Sequence, residues 1–322
     1  EQKCSMKGTV YKSTGSWYTV KSTDGTFYKC RIKGKFRIKG IKSTNPIAVG
    51  DVVEFKIEGV GDETVGVIST IEERRNYIIR KSVNLSKQTH IIASNLDQAF
   101  LLVTLNSPKT YPIFIDRFLA TAVAYDIPVT LLFNKIDTYN SDELGEVKYM
   151  AELYRNIGYT CIEISAKTGK NVDQVKELMK GKTSMFAGNS GAGKSTLINS
   201  IEPTLDIKTA EISEQHLQGQ HTTTFAEMFD LSFEGRIIDT PGIKGFGIVD
   251  MEKEEIGDYF PEFFKLKGSC KFNNCLHLDE PNCAVKEALD ADEVSWSRYK
   301  SYVQMLTGEE ENYRTDLFGE KK

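Results

Sequence analysis

The chain has 322 residues, with 41 Lys and Arg against 45 Asp and Glu and a hydrophobic content of 40%. That length suits two or three domains, and the lack of any run of about 18 apolar residues argues against a transmembrane helix. The net charge of −4 hides an asymmetry: the first 90 residues hold 17 basic and 9 acidic side chains, the remainder 24 and 36. A basic N-terminal module on an acidic body predicts a polyanionic partner at that end, the alternative being a solvated basic face.

The sequence opens Glu1-Gln2-Lys3 without methionine, as a piece of a longer chain would. It shows no basic-then-apolar leader pattern, so a cytoplasmic protein without a membrane partner is expected. Up to about residue 72 the chain reads as short β segments, among them Gly8–Tyr11, Trp17–Val20, Phe27–Ile32, Asp51–Ile57 and Thr64–Ile68. Turn signals at Thr14-Gly15-Ser16, Asp24-Gly25, Asn45-Pro46 and Gly59–Asp62 separate them. Five short strands in this span predict a small closed barrel of the OB type. Such barrels hold single-stranded nucleic acid on basic grooves with aromatic platforms. Trp17, Tyr18, Phe27, Tyr28 and Phe36 lie among Lys29, Arg31, Lys33, Lys35, Arg37 and Lys39. Some of these rings must fill the barrel, so at most about half are expected to bind bases.

The polar stretch from Glu72 to His90 reads as a linker. Beyond it, the apolar runs Ala99–Val103 and Val129–Phe133, with the shorter Cys161–Ile164, Ser184–Ala187 and Arg236–Asp239, read as buried parallel strands. Helical stretches are expected near Ile115–Tyr125, Asp142–Ile157, Val172–Leu178 and Lys194–Ile201. This alternation predicts a doubly wound α/β domain with its ligand at the strand C-termini. After about Val249 the chain turns acidic and helical. The expected domains are 1–72, 73–248 and 249–322.

Gly188-Asn189-Ser190-Gly191-Ala192-Gly193-Lys194-Ser195 follows a short strand and opens a helix, as a phosphate loop does. Its glycines let backbone N–H groups approach phosphate oxygens at a helix N-terminus. Lys194 is expected to reach the β- and γ-phosphates and Ser195 to bind Mg²⁺, while Thr196 is counted with the nucleotide-binding set. Asn134-Lys135-Ile136-Asp137 follows the most apolar strand. The Asp137 carboxylate can accept from the ring N–H and exocyclic amine of guanine; adenine would leave it unpaired. Lys135 can lay its aliphatic stem over the base. Ser165-Ala166-Lys167 is assigned as the base-supporting loop by its position.

Asp239-Thr240-Pro241-Gly242 supplies the magnesium and switch motif: Asp239 holds Mg²⁺ through water, and the Gly242 N–H meets the γ-phosphate. Ile243 stands where a water-orienting glutamine occurs in the Ras type, so hydrolysis is expected to be slow or to use another group. The polar segment from about Leu205 to Thr224 is the expected switch. Within it, Thr223 is expected to complete the Mg²⁺ shell and His221 to position water. His221, Lys194 and Thr223 are the residues expected to act in hydrolysis of GTP to GDP. The five motifs are in permuted order, which leaves the γ-phosphate switch followed directly by the C-terminal segment.

Of six cysteines, Cys4, Cys30 and Cys161 are scattered, while Cys270-x4-Cys275-x-His277-x5-Cys283 is a cluster. Four such ligands in 14 positions predict a closed structural Zn²⁺ site in a reducing compartment. Reduced cysteines in a small core are the alternative. Lys265, Lys267 and Lys271 beside it could meet phosphate.

The permuted motif order, the basic barrel before it and the cysteine–histidine cluster after it resemble the ribosome small-subunit-dependent GTPase A (RsgA/YjeQ) family. Gly219-Gln220-His221-Thr222-Thr223-Thr224 is similar to the family's switch motif, which more often has Arg where this chain has Gln220. The resemblance implies an N-terminal OB barrel, a circularly permuted P-loop GTPase domain and a C-terminal helical zinc-binding domain. It also implies late assembly of the small ribosomal subunit, contact with its rRNA near the decoding centre, and subunit-stimulated hydrolysis. The expected protein is a monomer using GTP/GDP, Mg²⁺ and Zn²⁺. Two other readings stay open on the motifs alone: an RNA-binding module with a passive nucleotide, and a P-loop kinase.

Overall fold

A computed structural model describes residues 5–32, 46–59, 64–81, 89–205, 226–239 and 251–308. Alternating apolar residues in the first strands turn one face inward. β1 (Met6–Ser13), β2 (Tyr18–Ser22), β3 (Phe27–Ile32), β4 (Val52–Glu58) and β5 (Val65–Ile71) run in the order β1-β2-β3-β5-β4. A β1–β4 pairing closes the barrel. Val10, Tyr18, Val20, Cys30, Val53, Phe55 and Ile68 fill it.

The expected linker is partly structured. Tyr77-Ile78-Ile79 and Ile91-Ile92-Ala93 are apolar enough to pair, giving the hairpin β6 (Tyr77–Lys81) and β7 (Thr89–Ser94). Ile78 and Ala93 bury into the core of the next domain.

There, β8 (Gln98–Val103), β9 (Val129–Phe133), β10 (Thr160–Glu163), β11 (Thr183–Ala187) and β13 (Arg236–Asp239) form a parallel sheet in the order β10-β9-β8-β11-β13. β12 (Glu227–Asp230) adds antiparallel to β13. β8, β9 and β11 are buried at every position, as continuous apolar runs require when helices cover both faces. The helices are α1 (Pro112–Ala124), α2 (Ser141–Ile157), α3 (Val172–Met179) and α4 (Lys194–Ile201). α2 shows why its ends fall where they do: Asn140 and Glu143 form a capping box, and Gly158 at φ 118° ends the helix. β1 continues the sheet through one register pair, Lys12 with Glu227.

The C-terminal helices are α5 (Lys253–Ile256), α6 (Pro261–Lys267), α7 (Ala284–Asp290) and α8 (Trp296–Thr307). They enclose Ile256, Phe260, Phe263, Val285 and Tyr302, and Ala120 of α1 joins the same core.

Candidate functional sites

The phosphate loop leaves β11 and enters α4 with Gly188, Gly191 and Gly193 all at positive φ. Gly188 is obligatory for a second reason: a Cβ there would lie 2.9 Å from the Leu102 carbonyl oxygen. Lys194 Nζ donates to the Gly188 and Asn189 carbonyls at 2.5 and 3.2 Å, folding the ammonium back over the loop. Burial holds Lys194 below the usual lysine range, and the charge of Asp239 opposes this. Asp239 ends β13, the strand beside β11, at the same end of the sheet as the loop.

Asn134 links three motifs. Its side-chain amide donates to the Ala192 carbonyl at 2.8 Å, and its oxygen accepts from the Ala166 N–H at 3.0 Å. Asp137 is exposed at the site and accepts from the Ser165 hydroxyl at 2.6 Å. Ser165 in turn accepts from the Thr168 N–H at 3.1 Å. Lys135 donates to the Ser107 carbonyl at 2.5 Å, which fixes the head of a side chain whose stem is free to cover a base.

The structure thus brings Asn134, Lys135, Asp137, Ser165, Ala166, the phosphate loop and Asp239 to one end of the sheet. Lys167 lies on the base loop, and Ser195 and Thr196 are in the first turn of α4 behind the phosphate loop. Gly242, His221 and Thr223 lie outside the described residues. A cavity of about 410 Å³, lined in part by Thr9, Arg75, Asp97 and Thr183, opens at the other end of β8 and β11. Ligands of open α/β sheets bind at strand C-termini, so this cavity is not the nucleotide site.

Sequence reasoning missed the loop Thr104–Tyr111, which follows β8 and lies against the phosphate loop. Asn189 donates to the Lys109 carbonyl at 3.4 Å, and a Cβ on Gly191 would sit 3.6 Å from Pro108. No signature in that stretch marks it as part of the site.

In the C-terminal domain the Sγ atoms of Cys270, Cys275 and Cys283 and one nitrogen of His277 lie within 4.8 Å of one another. His277 Nδ1 is 3.7 Å from Cys270 Sγ and 3.3 Å from Cys283 Sγ. A tetrahedral zinc site, with Zn–S about 2.3 Å and Zn–N about 2.0 Å, has edges near these lengths. Donor set and geometry are therefore compatible with zinc. Tyr299 and Tyr302 donate to the His277 and Leu276 carbonyls, both at 2.7 Å, and Glu280 accepts from the Leu276 and Leu278 N–H groups. These bonds hold the backbone that carries the histidine.

On the barrel, the rings divide. Tyr18 is in the core and Tyr28 packs against Phe55, while Trp17 and Phe27 are exposed. Lys29 Nζ sits 4.3 Å from the Trp17 ring centroid and Lys21 5.4 Å from that of Phe27. Phe36, Lys33, Lys35, Arg37 and Lys39 lie outside the described residues. Near the cluster, Lys267 is paired with Asp258 at 2.6 Å.

A phosphate loop, a guanine motif and a base loop in permuted order on one α/β sheet define a circularly permuted GTPase. The RsgA GTPase family matches residues 71–249, and the RsgA N-terminal domain family matches residues 7–68. The small ribosomal subunit biogenesis GTPase RsgA of Christiangramia forsetii is 71% identical over 97% of this chain and 99% of its own length. Its namesake in Flavobacterium johnsoniae is 65% identical over 98% of each. The crystal structure of YjeQ from Thermotoga maritima superposes with a TM-score of 0.77 at 35% identity, covering 95% of this chain and 98% of that one. YloQ, described as a circularly permuted GTPase, gives 0.74 at 31%, covering 95% and 96%. The chain belongs to the RsgA GTPase family and is a GTP hydrolase. Among the described residues no helix is long and apolar enough to cross a membrane.

Proposed function

We propose that this chain binds the small ribosomal subunit in the cytoplasm and acts as a monomer in its late assembly, hydrolysing GTP to GDP and phosphate faster when the subunit is bound. The names of its relatives support the subunit. The observation that carries the guanine-nucleotide reading is Asn134, which ties the guanine motif to both the phosphate loop and the base loop.

In this reading Asp137 accepts from the guanine ring N–H and amine, held by Ser165, while Lys135 covers the base and Ala166 and Lys167 support it. Backbone N–H groups from Gly188 to Thr196 cradle the phosphates, and Lys194 exchanges its two carbonyl partners for β- and γ-phosphate oxygens. Mg²⁺, held by Ser195, Thr223 and through water by Asp239, would neutralise charge between the phosphates. Gly242 contacts the γ-phosphate and His221 positions water. Cys270, Cys275, His277 and Cys283 hold a structural Zn²⁺. The domains are 1–72, 73–248 and 249–322. The exposed Trp17 and Phe27, with Lys21 and Lys29 over them, stack on unpaired rRNA bases.

GTP turnover by the purified chain, with and without small subunits and with ATP and large subunits as controls, tests this. Slow basal turnover, raised only by the small subunit, is expected. Tight GTP binding with no stimulation would leave a passive RNA-binding module instead.

A further inference from the structure

Lys135 has a backbone φ of 69°, in the left-handed region that a lysine leaves unless its surroundings hold it. Three ties hold this turn. The first is the Asn134 side chain, bound at both ends. The second is Lys135 Nζ on the Ser107 carbonyl. The third belongs to Tyr139, two residues beyond the base-reading carboxylate and only 8% exposed. Its hydroxyl donates to the Asn134 carbonyl at 3.1 Å and accepts from the Leu105 N–H at 2.9 Å. The loop that Tyr139 grips is also anchored elsewhere. Asn106 donates to Glu143 at 2.9 Å, the residue that closes the α2 capping box. Asn189 of the phosphate loop reaches the Lys109 carbonyl.

We propose that Tyr139 is a positioning residue for guanine selection: its hydroxyl locks the Asn134–Asp137 turn to the Thr104–Tyr111 loop and so fixes the direction in which Asp137 presents its carboxylate. This rests on the reading of Asp137 as the guanine acceptor. A carboxylate discriminates between bases only where its direction is fixed, because a turn free to shift can pair with a base lacking one donor. Without the hydroxyl, the Leu105 N–H and Asn134 carbonyl lose their shared partner, and the Lys135 contact with the Ser107 carbonyl is left to hold the turn to the loop.

The test is Tyr139→Phe in the full chain, which keeps the ring and removes only the oxygen. Affinities for GDP and for IDP, which lacks the exocyclic amine, are measured alongside the melting temperature. GDP affinity is expected to fall about tenfold and the GDP/IDP preference to shrink with it. A lower melting temperature with an unchanged GDP/IDP ratio would make Tyr139 a core residue only and overturn the proposal. Asp137→Asn, measured in parallel, separates the two claims. If it alters the ratio and Tyr139→Phe does not, only the Tyr139 proposal fails; if neither does, the guanine assignment fails as well. Should Tyr139→Phe not fold, Asn106→Ala loosens the same loop from its surface side. A smaller loss of preference is then expected, and an unchanged ratio again overturns the proposal.

Discussion

Two buried arginines fasten the outer domains to the GTPase core, and they do so differently. At the barrel, Arg74 grips Asp51 with two bonds, Nε to Oδ1 at 2.7 Å and a terminal nitrogen to Oδ2 at 2.6 Å. Asp51 is fully buried and also accepts from the Ser94 hydroxyl and the Ala48 N–H. At the C-terminal helices, Arg298 divides itself between Asp116 of α1, at 2.8 Å, and Glu262 of α6, at 2.7 and 3.1 Å. Asp116 takes Arg298 and Tyr154 on one oxygen, while its Oδ2 meets no hydrogen-bond partner among the described residues. Ser301 stands near enough to favour the ionised carboxylate. Burial pushes the Asp116 carboxyl up, against the Arg298 charge beside it.

The first pair is saturated and local, a staple between the barrel and the adjoining strand. The second joins residues 182 positions apart, and its acid carries both of its bonds, from Arg298 and Tyr154, on one oxygen. Each acid has a single arginine as counter-ion; on its loss Asp51 keeps a neutral donor on both oxygens, whereas Asp116 keeps Tyr154 on one. The C-terminal junction is thus the more brittle of the two, and it begins on α1, the helix that the Thr104–Tyr111 loop feeds.

Metal removal should break the comparison most severely. With zinc in the cluster, its loss withdraws on the order of 10 kcal/mol from a region with a small core. Strong chelation is expected to abolish amide-exchange protection in α6 to α8 while the barrel strands keep theirs. Retained protection in those helices would mean the four ligands need no metal. Next in size is Arg298→Met, expected to cost about 3–5 kcal/mol in urea unfolding because Asp116 and Glu262 are left facing each other. Adding Asp116→Leu should recover much of that loss. Arg74→Met should cost less, about 2–3 kcal/mol, since Ser94 and Ala48 still hold Asp51. Equal costs at the two arginines would remove the distinction drawn between the junctions. Smallest is Asp230→Asn on β12. It weakens an exposed ion pair with Lys21 and keeps an acceptor for the Tyr11 hydroxyl, and should cost under about 1 kcal/mol by the same measurement.

What the sequence revealed follows from range. The phosphate loop, the guanine motif and the cysteine cluster are local patterns whose chemistry needs fixed spacing. α4 runs over Lys194–Ile201 as expected, and β9 over Val129–Phe133. The barrel was legible through alternation, since burial on one face has a period of two. β12, with four residues and only Met228 buried, offers too short a pattern to find. The β6–β7 hairpin was hidden by the polar residues around its apolar triplets. No local signal could have paired Asp116 with Arg298 or Tyr139 with Leu105, because those contacts exist only once the sheet has brought distant loops together.

The central claim is that a permuted chain rebuilds one guanine-selective site, with Asp137 as its reader. GTP and xanthosine triphosphate binding to the native chain and to Asp137→Asn test it most directly. The account predicts that the native chain prefers GTP, and that the variant loses about 100-fold or more in GTP affinity while gaining xanthosine triphosphate. Unchanged GTP affinity in the variant would contradict it.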